Sequence, residues 1–343
     1  MNKVDPGFAK EIAEIRGSVK RSDRFDYVTT YTEKEFFKGK TTIERVLILR
    51  TRGCSWSYHS GCSMCGYWDD TNPDIGKEEL KKQVESFLKD FPNGEVLKIF
   101  TSGSFFDSIE IDPALQFEII EMVLRGYANI IVESRPEYIG KVIGELKRFE
   151  GKLQVSIGLE STNPSILKDS VNKNYDFDDF KMAASRLREN GITVRTYLLL
   201  KPPFITENEA ILDAVKSAKD LAPYSDFISI NPMNIQRGTL VERMYKQGSY
   251  RPPWLWSIVT VLQSLRDVGV PIVSLVTASG KKRGAHNGHT CDKNFSEGIR
   301  KFSETLDYSF LDELKCECEA NWKNFVGVEE ETGVAISEVI LDD

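Results

Sequence analysis

No run of apolar residues in this chain approaches eighteen, so no membrane-spanning helix is indicated. The N-terminal stretch "MNKVDPGFAKEIAEIRGSVKRSD" has no apolar core and is charged throughout, which argues against a secretory signal and for a cytoplasmic protein. The cysteines are then expected in a reducing compartment, where metal or catalytic roles outweigh structural disulfides. There is no excess of positive charge either. Forty-five Lys and Arg against 52 Asp and Glu leave a formal net charge of −7. That excludes a surface coated in basic residues and leaves room only for a local patch to hold a polyanion. Internal repeats, low-complexity tracts and flexible linkers are missing as well. No GxGxxG turn follows the first strand candidate, which disfavours a dinucleotide-binding sheet.

What is present is an alternation. Short β-rich runs, "RVLILR" (45–50), "VLKIFT" (96–101), "NIIVES" (129–134), "LQVSIGLE" (153–160), "TVRTYLLL" (193–200), "FISINPM" (227–233) and "PIVSLVT" (271–277), are separated by amphipathic stretches such as "KEELKKQVESFLKDF" and "FDDFKMAASRLREN". The runs are nearly continuous in apolar residues, as parallel strands covered on both faces should be. Repeated β–α units without the dinucleotide turn predict an α/β fold, a partial (β/α)6-type barrel. Residues 1–44 read as an N-terminal extension, 45–280 as the barrel and 281–343 as a small C-terminal Cys/His module. In such barrels the chemistry gathers at the C-terminal strand ends. "TSGSFFD", "ESRPE", "GLESTN", "LLLKPPF" and "NPMNIQRG" fall there.

Directly after the first of these strands comes "GCSWSYHSGCSMCGYW", with Cys54, Cys62 and Cys65 spaced by seven residues and then two. Three thiols are one short of the four that a structural zinc or a fully protein-held iron–sulfur cubane requires. A cubane on three thiolates leaves one iron open to an outside ligand; a zinc site that adds His59, or unrelated thiols, are the other readings. An open-iron cluster at this place on a barrel resembles the radical S-adenosylmethionine (SAM) superfamily. There the cofactor's amine and carboxylate fill the open iron position, and one electron from the cluster releases a 5′-deoxyadenosyl radical. The usual spacing is three then two, so this chain departs in the first interval. The resemblance implies cofactor contacts from Met64, from Ser102, Gly103 and Ser104, and from Glu133, Glu160 and Lys173.

The longer series "LRTRGCSW…GCSMCGYW", "SGSFFD", "ESRPEYI", "IGLEST", "YLLLKPPF", "INPMN", "RGAHN" and "LKCECEANW" resembles the archaeosine-biosynthesis radical enzymes from about residue 45 to 325. That resemblance implies a lyase of tRNA modification. It would cleave the lysine carbon–nitrogen bond of a lysine-adduct 7-deazaguanine in the tRNA D-loop, leaving a formamidine. The implied partners are archaeosine synthase, the adduct tRNA and a low-potential electron donor, with no membrane. An unactivated lysine methylene has no proton that a general base could take at neutral pH, so radical chemistry fits. Asp107, Arg195, Lys201, Asn231, Arg237 and Arg283 are the polar residues expected to hold a zwitterionic amino-acid tail. The negative net charge leaves tRNA contact either to a local patch such as "KKRG" (281–284) or to the partner. The competing readings are a radical enzyme acting on another RNA or small molecule, and a non-catalytic metal-binding interaction protein.

The last feature stands apart from the barrel motifs. "HNGHTC" and "KCECEANW" supply His286, His289, Cys291, Cys316 and Cys318, two close ligand pairs joined by a predicted helix, "FSEGIRKFSETL". Two such pairs make a tetrahedral N/S site of the kind zinc prefers, with His289, Cys291, Cys316 and Cys318 favoured and His286 the alternative. An auxiliary iron–sulfur cluster or reduced buried thiols would use the same residues. A closed site of this kind would staple the C-terminal module over the barrel mouth.

Overall fold

Eight strands follow one another round a single sheet in chain order, in a computed structural model that describes residues 6–336. The outer ends of the expected extension and module, residues 1–5 and 337–343, lie outside the described residues. Strands β1 (Thr29–Phe37) and β2 (Lys40–Ile48) form an antiparallel hairpin. From β2 onward every pairing is parallel, through β3 (Gly94–Phe100), β4 (Tyr127–Glu133), β5 (Leu153–Glu160), β6 (Thr193–Leu200), β7 (Phe227–Pro232) and β8 (Ile272–Ser274). The helices before β6 are α1 (Pro6–Gly17), α2 (Ser55–His59), α3 (Lys77–Asp90), α4 (Pro113–Val123), α5 (Pro136–Leu146) and α6 (Phe177–Glu189). After it come α7 (Glu207–Leu221), α8 (Leu240–Lys246), α9 (Leu255–Ser264), α10 (Asp292–Thr305), α11 (Ser309–Asp312) and α12 (Glu319–Thr332).

The sequence dictates where several of these begin. Asp112 caps α4 by accepting the Ala114 and Leu115 amides, with Pro113 in the first helical position; Asp176 caps α6 and Thr206 caps α7 in the same manner. The expected parallel barrel is therefore present, with two additions. The boundary expected at residue 45 falls inside β2, because the hairpin turn at Lys38 and Gly39 (φ 47° and 87°) joins two alternating runs. The C-terminal helices share one hydrophobic core with the barrel, a cluster that runs from Leu47 to Phe325.

Among the described residues the first and last strands do not pair, and α10 lies in the gap between β1 and β8. Phe295, Ile299 and Phe302 form its buried stripe. Its Ser303 hydroxyl donates to Ser274 O at 3.0 Å and accepts the Ser274 amide at 3.0 Å. One side chain thus satisfies an edge that a ninth strand would otherwise have to pair. Thr41 Oγ1 donates to Glu304 O at 2.6 Å on the other flank.

Period-two alternation assigns Leu97, Ile99, Ile130, Val132, Val155, Ile157, Val194 and Leu198 to the layer between strands and helices. The residues between them, including Lys98, Glu133, Gln154, Ser156, Arg195, Tyr197, Ser229 and Asn231, belong to the opposite, inner face. That face is more polar than nearly continuous apolar strands suggested. Phe37, Val96 and Ile131 form a small apolar cluster of their own. Near it the Lys98 ammonium lies 2.7, 2.9 and 2.5 Å from Glu33, Glu35 and Glu44, and Arg195 lies 2.6 Å from Glu35. Burial alone would raise the Glu35 carboxyl, yet Arg195 and Lys98 hold it down at about 2.

Candidate active site

The three-cysteine loop leaves the C-terminal end of β2, and each of its parts is tied to a different element. Cys54 stands at the N-cap of α2. The Trp56 indole donates to Asn172 O at 2.8 Å. Ser63 donates its amide to Val171 O at 3.0 Å and its hydroxyl to Ser170 O at 2.6 Å. Asn172 Nδ2 reaches Ser60 Oγ (2.7 Å) and Gly61 O (2.6 Å). The anchoring segment Ile166–Val171 is a π-helix that ends on Asn172 in the left-handed region (φ 65°), an irregularity of the kind that gathers at functional sites. Met64 packs beside Leu199, Met233, Ile235, Val241 and Tyr250. His59 is exposed.

The donor set suits an iron–sulfur cluster. Burial raises the Cys62 thiol and pushes Cys65 up to about 11, while Lys173 and Arg135 near Cys62 and Arg16 near Cys65 favour the thiolate. Arg135 Nη1 faces Cys54 Sγ at 3.9 Å.

Ser102, Gly103 and Ser104 follow β3 and pass against Cys54. A Cβ on Gly103 would lie 2.6 Å from Cys54 Cβ and 2.7 Å from Glu110 Oε2, so only glycine fits there. Glu110, fully enclosed, accepts the Ser102 and Ser104 amides and the Thr51 hydroxyl. Burial pushes its carboxyl up to about 7. Glu133 ends β4 and is likewise pushed to about 7 by burial, against a hydrogen bond from Tyr197. It is walled in by protein yet still reached by solvent.

Glu160 ends β5 with φ 74°, and Lys173 lies 3.1 Å from it. The same ammonium donates to Gly158 O (2.7 Å) and Tyr175 OH (2.9 Å). Two residues expected to approach the cofactor independently are therefore an ion pair. Glu110, Arg135, Asn172 and Tyr175 escaped the sequence reading; the Glu-x-x-Pro run that carried Glu133 overlaps Arg135, and the others belong to no motif.

Three of the expected substrate residues are buried among protein partners. Arg195 is the third residue of β6, well before the strand's C-terminal end, and is fully buried against Glu35. Lys201 follows β6 in the left-handed region (φ 62°) and lies 2.5 Å from Glu207 of α7, sealed from solvent. Asp107 is buried, accepting the Ser55 hydroxyl and the Ile109 amide at 2.9 Å. All three have protein partners in the fold. Asn231, on the inner face of β7, accepts the Ser229 hydroxyl at 2.9 Å. Arg237 and Arg283 are exposed, the latter 3.2 Å from Asn234 Oδ1.

The C-terminal ligands do converge. The ligand atoms of His289, Cys291, Cys316 and Cys318 all lie within 4.8 Å of one another. Cys291 Sγ is 3.4 Å from Cys318 Sγ, and Cys316 Sγ is 3.3 Å from His289 Nδ1. Trp256 Nε1 and Asn287 Nδ2 donate to Cys318 and Cys291 at 3.4 and 3.6 Å, and Glu317 lies 3.4 Å from His289 Nε2. Such neighbours orient ligands around a metal. His286 instead meets Gly284 O at 2.8 Å. Trp256 belongs to α9, so the group ties the entries of α10 and α12 to a helix of the barrel.

No helix among the described residues is long and apolar enough to cross a membrane. The model of the radical SAM superfamily matches residues 48–222. Over 336 residues the chain is 36% identical to the protein named archaeosine synthase subunit beta of Methanosarcina acetivorans, covering 94% of this chain and 97% of that one. A protein of the same name from Thermococcus kodakarensis is 36% identical over 314 residues, 87% of this chain and 96% of the other. Among solved structures, the queuine lyase from Clostridium spiroforme bound to SAM and queuine aligns with a TM-score of 0.47 at 21% identity, covering 64% of this chain and 90% of that one. The chain belongs to the radical SAM superfamily, in the family of the archaeosine synthase beta subunits, and is a radical SAM enzyme whose cofactors are a 4Fe–4S cluster and S-adenosylmethionine.

Proposed function

We propose that this enzyme acts in archaeosine formation as a carbon–nitrogen lyase. Its substrate is a tRNA whose D-loop carries a lysine-adduct 7-deazaguanine. The bond between the lysine side-chain nitrogen and its carbon breaks; the nitrogen stays on the base in the formamidine, and the carbon chain leaves as a lysine-derived fragment. The observation that carries this reading is the 36% identity to an archaeosine synthase beta subunit along 97% of that relative's length.

Cys54, Cys62 and Cys65 hold the cluster in this reading, a role supported by their thiolate-favouring surroundings. Met64, Ser102, Gly103, Ser104, Glu133, Glu160 and Lys173 bind SAM. The close packing of Gly103 and the ion pair of Lys173 with Glu160 support a preorganised pocket. When bound, the cofactors supply one electron and a carbon radical, the chemistry that a lysine methylene without an acidic proton demands. The chain's own residues bind and orient: Asn231, Arg237 and Arg283 are the expected substrate residues that are neither buried nor ion-paired. The barrel takes in the β1–β2 hairpin, and residues 281–343 act as the metal-bearing module.

His289, Cys291, Cys316 and Cys318 bind zinc, a role supported by their convergence and by the N–H donors beside them. The enzyme works in the cytoplasm with archaeosine synthase and a low-potential electron donor; the relatives' designation as a subunit supports such a partner. Anaerobic reconstitution, incubation with lysine-adduct tRNA and mass spectrometry of its nucleosides tests the reading. Archaeosine should form only with SAM and reductant. Equal turnover on tRNA without the adduct would sink it.

A further inference from the structure

The N-terminal helix precedes the barrel, yet it delivers one side chain into the cysteine loop. Arg16, in the last turn of α1, is 4% exposed. Its Nε donates to Ser60 O at 2.9 Å, and its Nη2 donates to Cys62 O and Cys65 O at 3.2 Å each. One guanidinium therefore joins both carbonyls of the Cys-x-x-Cys pair to the turn that precedes them. The fit is mutual. Gly61 lies in the left-handed region (φ 91°), and a Cβ there would come within 2.5 Å of Arg16 Nε and Nη2. The space a side chain would need is filled by the arginine. The same helix accepts the Ser60 hydroxyl at Ala9 O, 2.9 Å away.

We infer that Arg16 is a positioning residue for the cluster, holding Cys62 and Cys65 in the geometry the irons require and placing a fixed positive charge beside them. The inference rests on the reading that the three loop thiolates hold the cluster. Two physical consequences separate this role from mere packing. A planar fork bonded to three carbonyls cannot be reproduced by the point charge of an ammonium, so shape and charge are separable by substitution. A buried positive charge favours the reduced cluster, which carries one more negative charge, and so raises the reduction potential. Because the guanidinium is sealed from solvent, salt screens that effect little.

The test uses full-length protein reconstituted anaerobically, with iron release to bathophenanthroline disulfonate and the cluster's midpoint potential as readouts. Arg16→Gln is expected to release iron about 10-fold faster or more and to show a more negative potential. Arg16→Lys is expected to recover most of the potential and little of the retention. Arg16→Gln with wild-type retention and potential overturns the inference. Faster release at an unchanged potential overturns it too, because lost packing alone gives that result. If Arg16→Gln does not fold, Arg16→Lys decides. Faster iron release with an unchanged melting temperature of the iron-free protein supports the clamp, and wild-type release overturns it. Cys62→Ala separates this from the ligand assignment. A cluster that survives that change removes the assignment and the clamp together, whereas its loss leaves the Arg16 variants to judge the clamp alone.

Discussion

The carboxylate of Glu110 accepts the amide of Ser104 at 2.6 Å from beneath the loop that passes Cys54. Its other oxygen takes the Ser102 amide at 2.9 Å and the Thr51 hydroxyl at 2.5 Å. One buried side chain thus sets the shape of the strand end expected to meet the cofactor's amino group.

That position has a consequence for pH. Burial raises the Glu110 carboxyl from its ordinary 4.5 to about 7. A folded value above the unfolded one means that folding takes up a proton between the two. The group's contribution is complete below about pH 4.5 and is lost as pH rises through about 7. Denaturant titrations of iron-free protein should show wild type losing on the order of 3 kcal/mol relative to Glu110→Gln across that window. Parallel pH curves for the two proteins would show that Glu110 ionises in the fold as it does in water.

Lys201 and Glu207 should behave as a structural pair. Lys201→Met leaves Glu207 buried beside the Trp254 amide (2.7 Å) and the Ser257 hydroxyl (2.5 Å) without its ion-pair partner. The expected cost is about 3–5 kcal/mol in urea unfolding, with SAM affinity unchanged. Unchanged stability together with a raised KM for the RNA would return Lys201 to the substrate site.

The C-terminal group should hold about one zinc per chain. Protein lacking the three loop cysteines isolates it for metal analysis. Cys316→Ser should lose that zinc, lowering the melting temperature by roughly 5 °C or more, because the group joins the entries of α10 and α12. Iron in place of zinc would identify an auxiliary cluster, and absence of both would leave three reduced thiols beside a histidine.

Much of this was legible in the sequence, and the misses share a cause. The parallel strands announced themselves because their outward residues pack under helices, and the ligand group because close Cys/His pairs have few other uses. Strand β1 was missed. Its "TTYTEKEFF" sets three charged residues in a row, and Glu33 and Glu35 mark it as solvent-facing until Lys98 and Arg195 are seen beside them. Arg195 and Lys201 looked available for substrate because a sequence shows a cation but not its counterion. Arg16 acts on backbone carbonyls far along the chain, and Glu110 on nearby amides that a sequence does not show to be its partners, so neither contact leaves a motif.

The central claim is that a hydrogen atom leaves the lysine carbon next to the bond that breaks. Its most direct test is to build the adduct tRNA with lysine deuterated at that methylene. After anaerobic turnover, the 5′-deoxyadenosine is examined by mass spectrometry. The account predicts deuterium in the nucleoside in step with formation of archaeosine. Archaeosine formed alongside unlabelled 5′-deoxyadenosine would contradict it.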